Sequence, residues 1–149
     1  MSDVHLRAAR PLDAGALGAI MGEANARLGF LPQLYSGAQE IGFVGDLIDA
    51  GWVRVAVSGD QTAGFVARRG GEIHALYLRP HLQGRGVARA LIQEAQREAD
   101  MLGLWSYAQN ARAARFYRKA GFVEVARSDG AGNDAHLPDI RFEWRKEPA

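Results

Sequence analysis

A glycine- and arginine-rich turn is the stretch of this sequence most suggestive of chemistry: Gln83-Gly84-Arg85-Gly86-Val87-Ala88-Arg89. It follows an apolar, strand-like run over residues 73–78 and precedes a helix-like run over residues 87–102. The first N–H groups of a helix have no intrahelical acceptor and lie at the partly positive end of its dipole. Glycines let an anion approach those groups closely, and the two arginines add positive charge at the rim. The turn therefore predicts a site for a phosphate-bearing cofactor.

Two common nucleotide-binding motifs do not fit this turn. A dinucleotide fingerprint requires G-x-G-x-x-G, but Arg89 stands where the third glycine should be. The P-loop pattern G-x-x-x-x-G-K-[ST] is absent from the sequence. The turn does fit Q/R-x-x-G-x-G/A, with Gln83, Gly86 and Ala88 at the three defining positions.

A second motif follows at residues 110–122, where the sequence fits N-x-x-A-x-x-F-Y-x-K-x-G-F. The two motifs, in this order and at this separation, resemble the pyrophosphate-binding motif and the following signature of the GNAT family of N-acetyltransferases, which hold acetyl-CoA. With their strands they cover roughly residues 53–144. The resemblance implies the α/β GNAT fold (the acyl-CoA N-acyltransferase fold) as a single domain over residues 1–149. The central sheet should be mostly antiparallel, with six or seven strands and helices on both faces.

The resemblance also implies where the cofactor, acetyl-CoA (coenzyme A), would lie. Its pantetheine arm should pass between the strand before the turn and the strand before the second motif, which part from each other in this family. The implied cofactor-binding residues are Leu76, Tyr77, Leu78, Gln83, Gly84, Arg85, Gly86, Val87, Ala88, Arg89, Asn110, Ala113, Phe116 and Tyr117. Asn110 is also explained as a helix N-cap.

Tyr117 is the leading catalytic candidate. A phenol, with an unperturbed pKa of about 10, is protonated at neutral pH and can donate to the CoA thiolate as it leaves. Many family members use the tyrosine at this position in that way; a packed core aromatic is the alternative. The proton of the acceptor ammonium needs a base, for which His74 and Glu72 are candidates on one face of their strand. Ordered water in place of either side chain stays open.

The acceptor pocket is expected in the loop between the first two helices. In the family this loop lines the pocket, which makes Phe30, Leu31 and Tyr35 candidate walls. The alternative is that these apolar residues pack at the edge of the core.

The implied reaction is transfer of acetyl from acetyl-CoA to a primary amine of a small molecule, peptide or protein, by direct attack in a ternary complex. A non-enzymatic acyl-CoA-binding or sensing domain is the alternative. The sequence leaves open the acceptor and whether the donor is a longer acyl-CoA. Family members are often dimers, and the last strands with Trp144 are the candidate interface of a homodimer.

Composition bounds the function classes. With 18 basic and 17 acidic residues, the net charge of +1 gives no reason to expect binding to nucleic acid or to a membrane. No signal peptide or apolar run long enough to cross a membrane is found. Cysteine is absent, the histidines lack metal-site spacing, and no metal is expected. A cytoplasmic location is the expectation.

The helices and strands that must position these groups are predicted from the spacing of apolar residues and from helix- and strand-breaking residues. Asp13 should cap a first helix that runs to about residue 28, with Leu12 on its packed stripe. A second helix is predicted over residues 36–49, with Ile41 on its packed face. Gly103 should cap the helix of residues 87–102. The helix that Asn110 caps should end at Gly121, with Phe122 placed to close a Schellman-type contact. The predicted strands are residues 4–8, 52–57, 62–68, 72–78, 104–109, 122–127 and 140–145.

Overall fold

The computed structural model describes residues 4–82 and 84–147. Seven strands form one sheet: β1 (Val4–Ala8), β2 (Val53–Ser58), β3 (Gln61–Arg69), β4 (Glu72–Leu78), β5 (Met101–Tyr107), β6 (Val123–Ser128) and β7 (Asp139–Arg145). The α-helices of the described residues are α1 (Ala14–Ala26), α2 (Gly37–Asp49), α3 (Val87–Glu98) and α4 (Ala111–Lys119). Short 3₁₀ helices lie at Pro11–Asp13 and Pro80–Leu82.

The strand order is β1-β2-β3-β4-β5-β7-β6. Neighbouring strands pair antiparallel except β4 and β5, which are parallel and joined by the crossover through α3. This agrees with the rule that parallel neighbours need a long connection, here a helix. The predicted mixed, mostly antiparallel sheet is confirmed.

Helices cover both faces of the sheet, as predicted, and each face has its own core. On one face α1 and α2 pack with Leu17, Ile20 and Val44 against Val55 and Phe65 of the sheet. The second core lies on the other face, between the sheet and helices α3 and α4; it includes Leu91, Ile92, Tyr117, Leu102 and Phe142. Strand β4 contributes to both cores, with Ile73 on one face and Ala75 on the other. Among the described residues, no helix is long and apolar enough to cross a membrane.

The boundary between α3 and β5 differs from the prediction. The helix ends at Glu98, Ala99 takes an extended backbone, and the strand begins at Met101. Leu102 is therefore a buried strand residue, and Gly103 is not a helix cap. A leucine in a short apolar run can be buried in a helix or in a strand, so the spacing of apolar residues did not distinguish the two. The absent side chain at Gly103 has another use, since a Cβ there would lie 2.2 Å from Nη2 of Arg141.

The start of the first helix also differs from the prediction. Pro11 begins a 3₁₀ turn, which leaves Leu12 98% exposed instead of on the packed stripe. Asp13 does not cap α1 with its side chain. Its carboxylate accepts from the Arg10 N–H and from both terminal nitrogens of Arg7, because a guanidinium offers stronger, charge-assisted hydrogen bonds.

The two N-terminal helices are also trimmed at their ends. α1 ends at Ala26, two residues earlier than predicted. Ser36 lies outside α2 as its N-cap, and its hydroxyl accepts from the Gln39 N–H. Ile41 was predicted on the packed face of α2 and is instead 40% exposed. Its backbone nevertheless lies against α1, where a Cβ at Gly18 would come within 2.8 Å of the Ile41 Cα.

Candidate active site

A cavity of about 280 Å³ opens between β4 and β5. The two strands are paired at Glu72 and Gly103, and the Gly103 N–H donates to the Gly71 carbonyl at 2.8 Å. No further β4–β5 pairing occurs within the described residues, so the strands part toward their carboxyl ends. The predicted residues that line the cavity are His74, Leu76, Tyr77, Asn110, Ala113 and Tyr117. The parting of these strands agrees with what the family resemblance implied.

A β-bulge places His74 at this cavity. Ala67 of β3 is paired with Ala75, whereas the next residue, Arg68, is paired with Ile73, so His74 is an extra residue on β4. Bulges often re-aim side chains next to active sites. The His74 side chain is exposed and its ring stacks on Trp52, with ring centroids 5.2 Å apart.

The bulge also changes which face each β4 side chain occupies. Ile73 packs in the core under α3, whereas Ala75 and Tyr77 pack on the α1 side. Leu76 and Leu78 return to the α3 side. Strand residues two apart normally share one face, so this change between Ile73 and Ala75 follows from the extra residue.

The glycine-rich turn leads directly into α3, as the sequence predicted. Gly84 and Gly86 have φ values of 81° and 82°, in the left-handed region that favours glycine, and Gly86 is the N-cap of α3. No atom of the described chain comes within 4 Å of a Cβ built at either glycine, so the turn faces open space. Arg85 and Arg89 are exposed beside it. An exposed helix N-terminus with this backbone fits a phosphate group.

Two further residues of the turn are held by packing. Val87 is 1% exposed in the core under α3, and Ala88 is half-buried. Only their backbone groups are therefore suited to a ligand at the turn. Gln83, the first residue of the predicted motif, lies outside the described residues.

The start of α4 borders the cavity. Asn110 caps the helix, as predicted, because its Oδ1 accepts from the Ala113 N–H at 3.1 Å. Asn110 and Ala113 both line the cavity. Phe116 is half-buried, is not among the lining residues of the described chain, and contacts the Tyr117 ring edge to face at 5.3 Å.

Tyr117 lines the cavity from within the core. Its ring packs against Phe122 and Phe142, with centroids 5.6 and 5.8 Å away. Burial raises the pKa of the Tyr117 hydroxyl well above its ordinary value of 10. Tyr117 is therefore a packed core aromatic, which was one prediction. It also carries a protonated hydroxyl at the cavity, which the predicted role as a proton donor requires.

The end of α4 fixes the position of this tyrosine. Gly121, with φ of 96°, ends the helix, and its N–H donates to the Arg118 carbonyl. The Phe122 N–H donates back to the Tyr117 carbonyl at 3.0 Å. These are the two hydrogen bonds of a Schellman motif, as the sequence predicted.

Glu72 lies at the closed end of the gap, away from the lining residues found in the described chain. Its carboxylate accepts from Nη1 of Arg141 at 2.8 Å. This pairing raises the pKa of Arg141 and occupies the carboxylate. The structure thus brings His74, but not Glu72, to the cavity wall with Tyr117.

The candidate acceptor loop borders the cavity indirectly. Phe30 packs edge to face on the cavity residue Tyr107, with centroids 5.9 Å apart. The Tyr35 hydroxyl donates to Asp134 in the β6–β7 loop, and Leu31 is half-buried. None of Phe30, Leu31 and Tyr35 is among the lining residues in the described ranges.

Sequence reasoning missed a group of cavity residues on the α1 side of the sheet. Asn25 and Leu28 line the cavity from the end of α1, and Tyr107, Asn133 and Asp139 line it from β5, the β6–β7 loop and the start of β7. Burial raises the pKa of Tyr77, against the opposing effect of a hydrogen bond with Asn25. These residues come from distant parts of the chain and share no local motif. Among the described residues, no three metal-ligating side chains cluster as a metal site would require.

Comparison with known proteins agrees with this geometry. The family model described as "Acetyltransferase (GNAT) domain" matches residues 35–124, more than half of the chain. The chain is 37% identical over 78 residues to a peptidyl-lysine N-acetyltransferase, YjaB, of Escherichia coli strain K12. That segment is 52% of this chain and 52% of the relative, so the chain spans about half the length of the curated relative that it matches.

Solved structures extend the likeness to the whole fold. The solution structure of apo YjaB from Escherichia coli matches with a TM-score of 0.75 and 27% identity, over 95% of this chain and 97% of that one. A GNAT-family acetyltransferase from Streptococcus agalactiae matches in fold, with a TM-score of 0.83 and 15% identity over 99% of both chains. With the family model, the parted strands and the glycine turn before α3, these findings show that the chain belongs to the GNAT acetyltransferase family.

Proposed function

We propose that this protein binds acetyl-CoA along the β4–β5 gap and transfers the acetyl group to a primary amine. The observation that carries the proposal is the cavity between the parted strands, because Tyr117 and Asn110 line it. The open, glycine-rich turn begins α3, which packs in the same core as Tyr117. A gap that exposes strand backbone suits an elongated amide-bearing arm, and the turn suits its phosphates.

Several groups of this chain would hold the cofactor. Backbone groups of Leu76, Tyr77 and Leu78 border the gap, since β4 has no β5 partner there within the described residues. The N–H groups from Gly84 to Ala88 would receive the pyrophosphate, with Arg85 and Arg89 beside them. Gln83 and the polar side chain of Asn110 complete the proposed site.

Acetyl-CoA supplies an acyl group already activated as a thioester. Tyr117 would donate a proton to the leaving sulfur, and its raised pKa keeps that proton in place at neutral pH. His74, exposed at the cavity through the bulge, would take the proton that the acceptor ammonium loses, directly or through water. The chain contains no cysteine, and we propose direct attack in a ternary complex rather than a covalent acyl-enzyme.

The acceptor is proposed to be a lysine side chain of a peptide or protein. This step relies on the name of the Escherichia coli relative, which is a peptidyl-lysine N-acetyltransferase. A small-molecule amine is the alternative acceptor. Assays of CoA release with both kinds of amine distinguish the two. A homodimer and a cytoplasmic location stay predictions.

Acetyl transfer can be tested directly by following CoA release with lysine-containing peptides and with small amines. Calorimetric titration of acetyl-CoA should give a micromolar Kd, which corresponds to about −8 kcal/mol. Tyr117→Phe should keep that Kd and lower kcat by about a hundredfold or more. Binding without transfer to any amine would favour the acyl-CoA sensing alternative, and absence of binding by the folded protein would contradict the proposal.

A further inference from the structure

The described part of the chain buries two carboxylates, and only one of them has an ion-pair partner among the described residues. Asp13 is 8% exposed and is bonded by both terminal nitrogens of Arg7, at 2.8 and 2.9 Å. Asp139 is 9% exposed, but none of the ion pairs found among the described residues includes it. Buried carboxylates in proteins are normally paired with a cation. Among the described residues, Asp139 therefore lacks the cationic partner that Asp13 has.

Neutral donors hold the Asp139 carboxylate in place. Oδ1 accepts from the Ser128 hydroxyl, and Oδ2 accepts from Nδ2 of Asn133 at 3.1 Å. Asn133 is itself fixed, since its amide group donates to the Leu137 carbonyl and accepts from the Leu137 N–H. The carboxylate is thus oriented by the β6–β7 loop without being neutralised.

The nearest arginine on the same strand face is directed elsewhere. Arg141 lies two residues beyond Asp139 on β7, and its guanidinium bonds to Glu72 and Glu143. It extends over Gly103, toward the closed end of the β4–β5 gap. Arg141 is therefore committed to two carboxylates away from Asp139.

The position of Asp139 connects it to the proposed reaction. Asp139 is the residue of β7 paired with Tyr107 of β5, and both line the cavity. Ile140, next to Asp139, and Leu104, three residues before Tyr107, pack in the core under α3, which places Asp139 and Tyr107 on the opposite, α1 side of the sheet. Asn25 and Leu28 at the end of α1 line the cavity from this side. Helices α3 and α4 pack on the other side of the sheet, where the cofactor is proposed to lie.

We propose that Asp139 binds the ammonium group of the acceptor and makes this enzyme selective for cationic primary amines. The inference rests on the proposed function and assigns the acceptor end of the same cavity. A primary ammonium would supply the positive charge that Asp139 lacks and would face Tyr107 across the strand pair. Asp139 acts on binding, whereas proton removal belongs to His74 or water.

A binding experiment tests this role without relying on turnover. Nα-acetyl-lysine methylamide, whose only charge is the ε-ammonium, is titrated calorimetrically into the protein, with and without saturating CoA. Nα-acetyl-norleucine methylamide, which lacks the ammonium, is the matched ligand. Wild type should bind the lysine compound about tenfold to a hundredfold more tightly, the range typical of hydrogen bonds to charged groups.

Two substitutions, one at each end of the β6–β7 loop, form a matched pair. Asp139→Asn removes the charge and can keep both neutral contacts, because Oδ1 can face Asn133 while the Ser128 hydroxyl accepts from the new amide. Asp129→Asn removes one charge from an exposed residue whose carboxylate accepts from the Ala131 N–H. The preference for the lysine compound should be lost in Asp139→Asn and kept in Asp129→Asn.

The outcomes separate the inference from the proposed function. Equal affinity of wild type for the two compounds, or a preference that survives Asp139→Asn, would overturn the role of Asp139. Should Asp139→Asn not fold, amide shifts of ¹⁵N-labelled wild type decide: changes on adding the lysine compound must centre on Tyr107, Asn133 and Asp139, and changes elsewhere overturn the role. Failure of the proposed function would instead appear as absent acetyl-CoA binding or acetyl transfer, with the ammonium preference intact.

Discussion

Glu72 of β4 and Gly103 of β5 are paired at the end where the two parallel strands meet, and beyond this pair the strands diverge. Gly103 also makes room for Arg141, whose guanidinium bonds to Glu72 at 2.8 Å. The pair of Glu72 and Gly103 thus joins the two strands. It also allows Arg141 to form ion pairs with both Glu72 and Glu143. The cavity begins past this point, so of the two candidate bases His74, further along β4, lies at the cavity wall and Glu72 does not.

Substitution of the two candidate bases should have unequal effects. His74→Gln should lower kcat/KM for acetyl transfer by about a hundredfold, the smaller end of the usual contribution of a general base. Glu72→Gln should change it by less than about threefold, since its carboxylate faces Arg141 outside the cavity lining of the described residues. Initial rates of CoA release at fixed acetyl-CoA measure both. Equal rates for His74→Gln and wild type would assign proton removal to water.

The raised pKa of Tyr117 predicts a specific loss of stability in alkali. In the unfolded chain tyrosine ionises near its ordinary pKa of 10, whereas the buried Tyr117 keeps its proton to higher pH. The free energy of unfolding should therefore fall as pH rises above about 10, by about 1.4 kcal/mol per pH unit for this group. Tyr117→Phe should flatten this slope in urea unfolding series between pH 9 and 11.5. Tyr77, whose pKa burial also raises, would leave a residual slope.

An unchanged alkaline slope in Tyr117→Phe would show that the hydroxyl is solvated in the folded state. The same raised pKa predicts that ionisation of Tyr117 does not lower the rate of acetyl transfer below pH 10, because the acid stays protonated. A pH–rate profile with an alkaline limb near pH 8 that disappears in Tyr117→Phe would contradict this.

Two substitutions of Asn110 separate its two expected roles. Asn110→Ala removes the side chain that caps α4 and should lower the free energy of unfolding by about 1 kcal/mol. Asn110→Ser keeps a good capping residue and should change stability by less than half of that. If the amide also bonds the cofactor, both variants should bind acetyl-CoA more weakly in calorimetric titration. Unchanged affinity in both would limit Asn110 to capping.

Two glycines of α1 test how the helices that border the acceptor side are packed. A Cβ at Gly18 would lie 2.8 Å from the Ile41 Cα of α2, so Gly18→Ala should destabilise the protein by about 1–3 kcal/mol. Gly15 has no described atom within 4 Å of its Cβ position, and Gly15→Ala should stabilise by about 0.5–1 kcal/mol. Urea unfolding of both variants measures the difference. Equal effects would mean that α1 and α2 are not in close contact.

Local patterns predicted the parts of the site that lie within one motif. Asn110, Gly121 and Phe122 have capping geometry that depends on neighbouring residues alone, and all three were predicted correctly. The glycine turn before α3 was likewise predicted from its own residues, and the structure adds that Gly84 and Gly86 have positive φ values. The family resemblance added the parting of β4 from β5, which no local pattern contains.

Features that depend on contacts between distant segments were not predictable in this way. The sequence around Leu102 fits a helix or a strand, and only the pairing of β5 in the sheet decides between them. Leu12 is exposed because Pro11 starts a 3₁₀ turn. The partner of Glu72 is 69 residues away, and Asp139 becomes notable only when its burial and ion pairs are known. Such pairings arise from sheet register, which a single sequence does not display.

Acetyl-CoA is proposed to occupy the gap between β4 and β5 and the turn before α3. Titration of acetyl-CoA into ¹⁵N-labelled protein, followed by amide chemical shifts, locates the bound cofactor. Binding in the gap should give the largest changes at Leu76, Leu78, Gly84, Gly86 and Ala113, with little change in β1 at the sheet edge. Changes concentrated instead at the shallow depression lined by Gln93, Gln96, Arg97 and Lys146, or no changes at millimolar ligand, would contradict it.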